Sequence, residues 1–285
     1  MTSDLHTGPL GIDAEYKEGY DPGLLFPMPR HEGRNAVGLG SGRTWIGHDL
    51  WTGYEFSWLN AKGRPSVAVL SIAVDAGSTN IVESKSMKLY LNGFAQTRFA
   101  SADEVSRRLQ EDLDRAFGAP VTLTLMNLDE LATGMALGAG KCLDELDVEI
   151  VSYQRDPSLL ARKSTGRAQE QVEAEVEELL VSHLFRSLCP VTAQPDWASI
   201  FVHYQGAPIN HEGLLAYLIS YREHQAFHET TIERIYEDIW QTCKPSVLAV
   251  SGRFLRRGGL DINPFRTSSI QKADGLALGT RLARQ

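Results

Sequence analysis

A thiol, a carboxylate and two prolines share one short segment, Cys189-Pro190-Val191-Thr192-Ala193-Gln194-Pro195-Asp196-Trp197. In a helix the seven-residue separation of Cys189 from Asp196 would stack them two turns apart. Pro190 and Pro195 forbid a regular helix there, so a loop must bring the pair together. Together they supply a nucleophile and a proton donor, the minimum for forming a covalent adduct and then protonating it. A structural cysteine beside a capping aspartate is the competing reading. A second segment, Glu83-Ser84-Lys85-Ser86-Met87-Lys88-Leu89-Tyr90, stands where a strand hands over to a helix. An ionised carboxylate only accepts, and Glu83 can take two parallel hydrogen bonds from an N–H and an exocyclic amine of a guanine-like ring. The alternative is that Glu83 merely favours the helix N-terminus electrostatically.

His224 and His228 are four apart, with Glu229 next, which is a zinc-binding spacing on a helix. The order is not H-E-x-x-H and no cysteine lies nearby in sequence, so His228 with Glu229 reads better as a substrate-recognition pair. Arg256-Arg257-Gly258-Gly259-Leu260-Asp261 ends the last clear strand. Two guanidinium groups beside a flexible backbone suit a phosphate-bearing ligand, although a solvated basic turn would look the same. Three cysteines, Cys142, Cys189 and Cys243, are an odd number without C-x-x-C spacing, so neither a disulfide framework nor a zinc ribbon is implied. Gly38-Leu39-Gly40-Ser41-Gly42 has Arg43 where a dinucleotide fingerprint needs its third glycine, and no strand leads into it. Gly140-Lys141 fails as a phosphate loop, because Met135 and Cys142 replace the required glycine and hydroxyl residue.

These residues need elements to hold them. At 285 residues with 42% hydrophobic and 22% charged side chains, the chain can build one large core or two modest ones. A net charge of −8 argues against a nucleic-acid partner. No stretch approaches the roughly 20 apolar residues of a membrane span, and Met1-Thr2-Ser3-Asp4-Leu5-His6 lacks the plan of a signal peptide. The expectation is a soluble, cytoplasmic protein. A Gly- and Pro-rich leader comes first. Trp51–Leu59 and Ser66–Val74 then form a hairpin across Asn60–Pro65. Met87, Tyr90, Leu91 and Phe94 place a helix from Ser84 to about Phe99, and a capping box at Ser101 opens a second carrying Val105, Leu109, Leu113 and Phe117. Val121–Met126 and Val148–Tyr153 complete ββααββ. The order then repeats: strands Gln171–Glu177 and Ser199–Tyr204, a helix capped by Asn210, a helix Phe227–Thr242 and strand Val247–Phe254. Hairpins and paired helices specify an α+β fold with antiparallel sheets, and the repetition suggests an internal duplication.

The four motif segments, in this order, resemble the NADPH-dependent 7-cyano-7-deazaguanine reductases of queuosine biosynthesis, in their long, two-module form. The match runs from about Trp51 to the C-terminus, without departure at the motif positions. The resemblance implies two tandem tunnelling-fold modules, at 46–155 and 156–285, behind a leader at 1–45. It further implies that Cys189 adds to the nitrile carbon as a thioimide, that Asp196 is the general acid, and that Glu83 and Glu229 hold the deazaguanine ring. Val82, Ser84 and His228 complete the substrate pocket in the family, while Ser84, Lys85, Arg257 and Gly258 match its NADPH contacts. The implied reaction consumes two NADPH and yields the primary amine 7-aminomethyl-7-deazaguanine, with no metal. The implied partners are the small-molecule substrate and a second copy of the chain in a homodimer, with no direct nucleic-acid or membrane contact. The chemistry is consistent with the side chains, since a nitrile resists direct hydride attack and thiolate addition converts it into a reducible C=N. Two other functions compete: a zinc-dependent hydrolase of the same fold, like GTP cyclohydrolases, which would need paired Cys and His ligands, and a non-catalytic purine-binding protein.

Overall fold

Side chains on a strand alternate between two faces, so Trp51 and Trp58, an odd and an even position, can share a core only if the strand between them is irregular. The computed structural model shows where, and describes residues 19–40, 42–128, 140–160, 174–269, 282 and 285. It divides into two compact units. Described residues 19–36, 48–128 and 256–262 make the first. Its elements are β1 (Pro27–Pro29), α1 (Arg30–Ala36), β2 (Gly47–Leu59), β3 (Pro65–Asp75), β4 (Asn80–Val82), α2 (Ser84–Phe94), α3 (Ala102–Phe117) and β5 (Val121–Met126). The second contains β6 (Lys141–Cys142), β7 (Val176–Ser182), β8 (Arg186–Leu188), β9 (Pro195–Gly206), α4 (His211–Ile219), α5 (His228–Cys243) and β10 (Val247–Phe254). The division falls inside β11 (Leu260–Thr267), after Ile262. The fold is α+β, with two tunnelling-fold modules. Among the described residues no helix is long and apolar enough to cross a membrane.

In the first unit β5, β3 and β2 form an antiparallel sheet. The β2–β3 register shifts between Gly53 and Phe56. That bulge turns Tyr54 and Glu55 away and lets Trp51, Phe56 and Trp58 all face the core. Two helices cover this face. Met87, Tyr90, Leu91 and Phe94 of α2 and Val105, Leu109, Leu113 and Phe117 of α3 are buried as their spacing predicts, each stabilising by roughly 1.5–3 kcal/mol. Ser101 accepts the Glu104 N–H at 3.2 Å, and Gly118 ends α3 in the left-handed conformation. Asp112, buried beneath α3, accepts hydroxyl hydrogen bonds from Tyr20 and Tyr90, which raises both phenols above their ordinary range through burial first and the carboxylate second. The α2 helix stops at Phe94, short of the expected Phe99. Leu59 at the end of β2 donates to Thr97 and accepts from Phe99, so that backbone is already committed.

The second unit stacks β11, β10, β9, β7 and β6, with β8 paired to the start of β9. All pairs are antiparallel except the short β6–β7 pair. Three sequence expectations shift here. Val148–Tyr153 is not a strand: it has no ladder partner among the described residues, Val151 is 82% exposed, and β-propensity means little without a surface to pack on. The strand expected at Gln171–Glu177 runs instead over Val176–Ser182, because β9 ends at Gly206, opposite Val176. Residues 171–173, like 1–18 of the leader, lie outside the described residues. The eight residues of β11 are buried throughout, although Leu260-Asp261-Ile262-Asn263-Pro264-Phe265-Arg266-Thr267 shows no strand periodicity. Its polar side chains are paired: Asn263 Oδ1 accepts the Phe254 N–H at 3.0 Å, and the Arg266 guanidinium donates to Glu233 on α5 at 2.8 and 3.1 Å.

That last ion pair fixes the rotation of α5. Replacing Arg266 with Met strands a buried carboxylate, and urea unfolding should show a loss of about 3–5 kcal/mol. The double variant Arg266→Met, Glu233→Leu should recover most of it. A double variant no more stable than the single would show that the pair is not the cause.

Candidate active site

Cys189 follows β8 directly, and Asp196 is the second residue of β9. The β8–β9 register pairs Leu188 with Pro195 and Ser187 with Asp196. Beyond it, the Cys189 N–H donates to the Gln194 carbonyl at 2.9 Å and the Ala193 N–H donates to the Cys189 carbonyl at 3.0 Å. Alternation then puts Ser187, Cys189, Gln194 and Asp196 on one face of the hairpin. Cys189 and Asp196 are diagonal neighbours, for which backbones lie roughly 7–8 Å apart. The turn closes through Ala193 at φ 54°, a left-handed backbone that alanine adopts at a cost of roughly 1–2 kcal/mol. Trp197 and Arg186 occupy the opposite face, with the guanidinium 5.6 Å from the indole. Of the three thiols, Cys189 is partly exposed, Cys142 exposed and Cys243 buried.

The N-terminus of α5 closes on this face. His228, its first residue, places Nε2 3.4 Å from Asp196 Oδ1 and stacks on Phe254, ring centroids 3.8 Å apart and planes 3° from parallel. Asp196 and the neighbouring Glu229 are both buried. The unit therefore gathers Cys189, Asp196, His228 and Glu229 around β8, β9 and α5. His224 does not share a helix with His228, since it caps the preceding turn in an extended conformation, so the zinc spacing is not realised. Its carbonyl accepts the Leu188 N–H at 2.8 Å and holds the free side of β8. Its ring is buried against Tyr221, and burial first, then the Arg155 charge, lowers its pKa to about 4.

Val82, Glu83, Ser84, Lys85, Arg257 and Gly258 belong to the other unit. Glu83 is the N-cap of α2: its two carboxylate oxygens accept the N–H groups of Lys85 at 2.8 Å and Ser86 at 2.7 Å, while the Ser86 hydroxyl donates back to the Glu83 carbonyl at 2.6 Å. The Glu83 N–H in turn donates to Phe26, just before β1, whose own N–H reaches the Ser86 hydroxyl. The helix-terminus alternative is thus realised, yet each oxygen retains a second acceptor site for a ligand. Arg257 and Leu260 exchange both main-chain hydrogen bonds around Gly258 at φ 58° and Gly259 at φ 75°, a type I′ turn that needs two left-handed residues. The β2 bulge cradles it. The Tyr54 N–H donates to the Gly259 carbonyl at 2.9 Å, and the Arg256 guanidinium lies 4.6 Å from the Tyr54 ring. A Cβ on Gly258 would come within 3.3 Å of the Lys88 stem, so the α2 motif and the arginine turn are neighbours.

Two family models match the chain: "Nitrile reductase, 7-cyano-7-deazaguanine-reductase N-term" over residues 16–125 and "QueF-like protein" over residues 195–273. Similar proteins named NADPH-dependent 7-cyano-7-deazaguanine reductase include one from Ralstonia nicotianae, 53% identical over 91% of this chain and 92% of its own length. Others come from Cupriavidus metallidurans, 50% identical over 94% and 95%, and Burkholderia thailandensis, 48% identical over 97% and 98%. This chain belongs to the 7-cyano-7-deazaguanine reductase family.

The structure places three further side chains beside the expected site residues that sequence reasoning did not name for the site. Phe254 supports His228 through a contact that exists only where β10 meets α5, and no sequence signal marks it. Ser86 completes the α2 cap, and Lys88 follows Ser84 at helical i+4 spacing; both stood inside the quoted motif.

The His224 ring carries a pH dependence. Its folded pKa of about 4 lies below its ordinary 6.5, so the unfolded chain takes up the proton first as pH falls. Stability is full above pH 6.5 and should decline by on the order of 3 kcal/mol down to pH 4. Urea unfolding across this range should show a shallower slope for His224→Asn. An equal slope would assign the effect elsewhere.

Proposed function

We propose that this chain reduces the nitrile of 7-cyano-7-deazaguanine to 7-aminomethyl-7-deazaguanine through a thioimide on Cys189. The Cys189 thiolate adds to the nitrile carbon, forming a C–S bond, while Asp196 delivers a proton to the nitrogen. NADPH supplies one hydride to that carbon and, after the C–S bond breaks and returns the thiolate, a second hydride to the resulting imine. Two hydrides and two protons thus convert the nitrile into the primary amine. His228, stacked on Phe254 beside Asp196, stands next to the substrate, and Glu83 and Glu229 accept the donors of the ring. Val82 and Ser84 are further substrate contacts in this reading. The observation that carries the reading is the single hairpin face shared by Cys189 and Asp196, with His228 against the acid, in a member of this family.

The residues fit a phosphorylated dinucleotide. Ser84, Lys85, Lys88 and Arg257 are partly exposed, around an exposed Gly258. Glu83 already occupies the first amides of α2. A phosphate must therefore be held by the side chains of Lys85 and Arg257, not by the bare helix terminus.

Cys189→Ala should abolish reduction while Cys142→Ala and Cys243→Ala do not, and intact mass without NADPH should show one nitrile adduct on the parent chain alone. Asp196→Asn should keep substrate binding and lose roughly 10²–10⁴-fold in turnover. An adduct persisting in Cys189→Ala would sink the assignment.

Progress curves with limiting nitrile should consume two NADPH per amine. NADPH should bind about 10–150-fold better than NADH, a preference that Arg257→Ala shrinks, because the extra phosphate adds charge-assisted hydrogen bonds worth roughly 1.5–3 kcal/mol. One NADPH per turnover with aldehyde as product, or equal use of NADH, is the contrary result.

A further inference from the structure

Among the described residues, three side chains of the types that bind metals converge that are not part of the predicted catalytic set: Cys142, Asp144 and His183, with one donor atom of each within 4.8 Å of the others. The parallel β6–β7 register produces this meeting. Cys142 pairs with Val181, and the Leu143 N–H donates to the Val181 carbonyl at 2.9 Å. Just past the ends of both strands, Asp144 comes level with His183, whose N–H meets its carboxylate. The carboxylate is already oriented, because both its oxygens accept the His183 N–H, at 3.0 and 3.2 Å. The imidazole is oriented too, with Nδ1 2.8 Å from the Ser199 hydroxyl on β9. A hydroxyl hydrogen-bonded to one ring nitrogen is the arrangement that fixes the tautomer of a histidine whose other nitrogen binds a metal.

We propose that Cys142, Asp144 and His183 form a zinc site. One sulfur, one oxygen and one nitrogen donor are the ligand set of a borderline ion, and three protein ligands leave the fourth tetrahedral position for water. Tetrahedral Zn²⁺ at roughly 2.0–2.3 Å from its ligands holds them about 3.3–3.8 Å apart. The donors need close by only about 1 Å, a movement open to the exposed Cys142 side chain. On binding, the Cys142 thiol loses its proton to water, and thiolate and carboxylate together neutralise the ion. His183 binds through Nε2, with Nδ1–H donating to Ser199. The ion clamps β6, two residues long, onto β7. The site uses neither Cys189 nor Asp196, so it is independent of the reduction proposed above.

The test uses the full chain stripped with a chelator and titrated with Zn²⁺ by calorimetry and with Co²⁺ by absorbance. One equivalent of each should bind, with a thiolate-to-cobalt charge-transfer band, and Zn²⁺ should raise the melting temperature. Cys142→Ser should remove the band. Asp144→Asn and His183→Ala should weaken binding by more than 100-fold, and Ser199→Ala by about 10–100-fold, the usual cost of losing the group that orients a ligating histidine. Cys189→Ala should bind as the parent does. Circular dichroism of each variant separates lost binding from lost folding. Absence of the band at saturating Co²⁺ overturns the proposal. So does a band that survives Cys142→Ser and disappears in Cys189→Ala.

Discussion

Two main-chain hydrogen bonds of Cys189, one to the Gln194 carbonyl and one from the Ala193 N–H, set everything that follows around the thiol. They end the β8–β9 ladder at a defined residue, and in a ladder the face of every side chain is set by the count from a paired position. A slip of one residue would send Cys189 or Asp196 to the face now held by Arg186 and Trp197. Pro190 and Pro195 exclude a helix, and the left-handed Ala193 lets the chain return in four residues. The strain at Ala193 persists because β8 is held from both sides, by β9 and by the His224 carbonyl.

Burying charge is costly unless each charge meets a partner, and this chain uses that cost to orient α5. Glu233 meets Arg266, and Asp238 meets Arg155, Arg234 and the Tyr217 hydroxyl. Rotation of α5 about its axis would break the contacts to Arg266, Arg155 and Tyr217 together, whereas Arg234, on α5 itself, would turn with Asp238. The same helix begins with His228 and Glu229, so charges about one and a half and three turns away hold the imidazole against Asp196. In the first unit Asp112 and its two tyrosines lock α3 against α2 in the same manner.

Glu83 shows how a helix cap can prepare the ring-binding role proposed for the same side chain. As an N-cap it satisfies two amides that a helix start otherwise leaves without partners, and the Ser86 hydroxyl and Phe26 backbone complete the cap. A carboxylate held by two N–H groups cannot swing. Its remaining acceptor sites therefore point in fixed directions before any ligand arrives, which lowers the ordering cost of binding.

Much of this was legible in the sequence. Periodicity located α2, α3 and α5 and named their buried residues, because a 3.6-residue repeat of apolar side chains has one stable use in water. The prolines around Cys189 required a loop, and motif order alone pointed to the family. Other features had no local signature. Val148–Tyr153 has the composition of a strand but no neighbour to pair with among the described residues, and β11 lacks alternation because both its faces are buried and its polar groups find partners far away in sequence. The β2 bulge, the Phe254 stack on His228 and the meeting of Cys142, Asp144 and His183 were likewise decided only by tertiary structure. Local sequence determines which backbone conformations are cheap, whereas pairing and burial depend on residues that only the folded chain brings within reach.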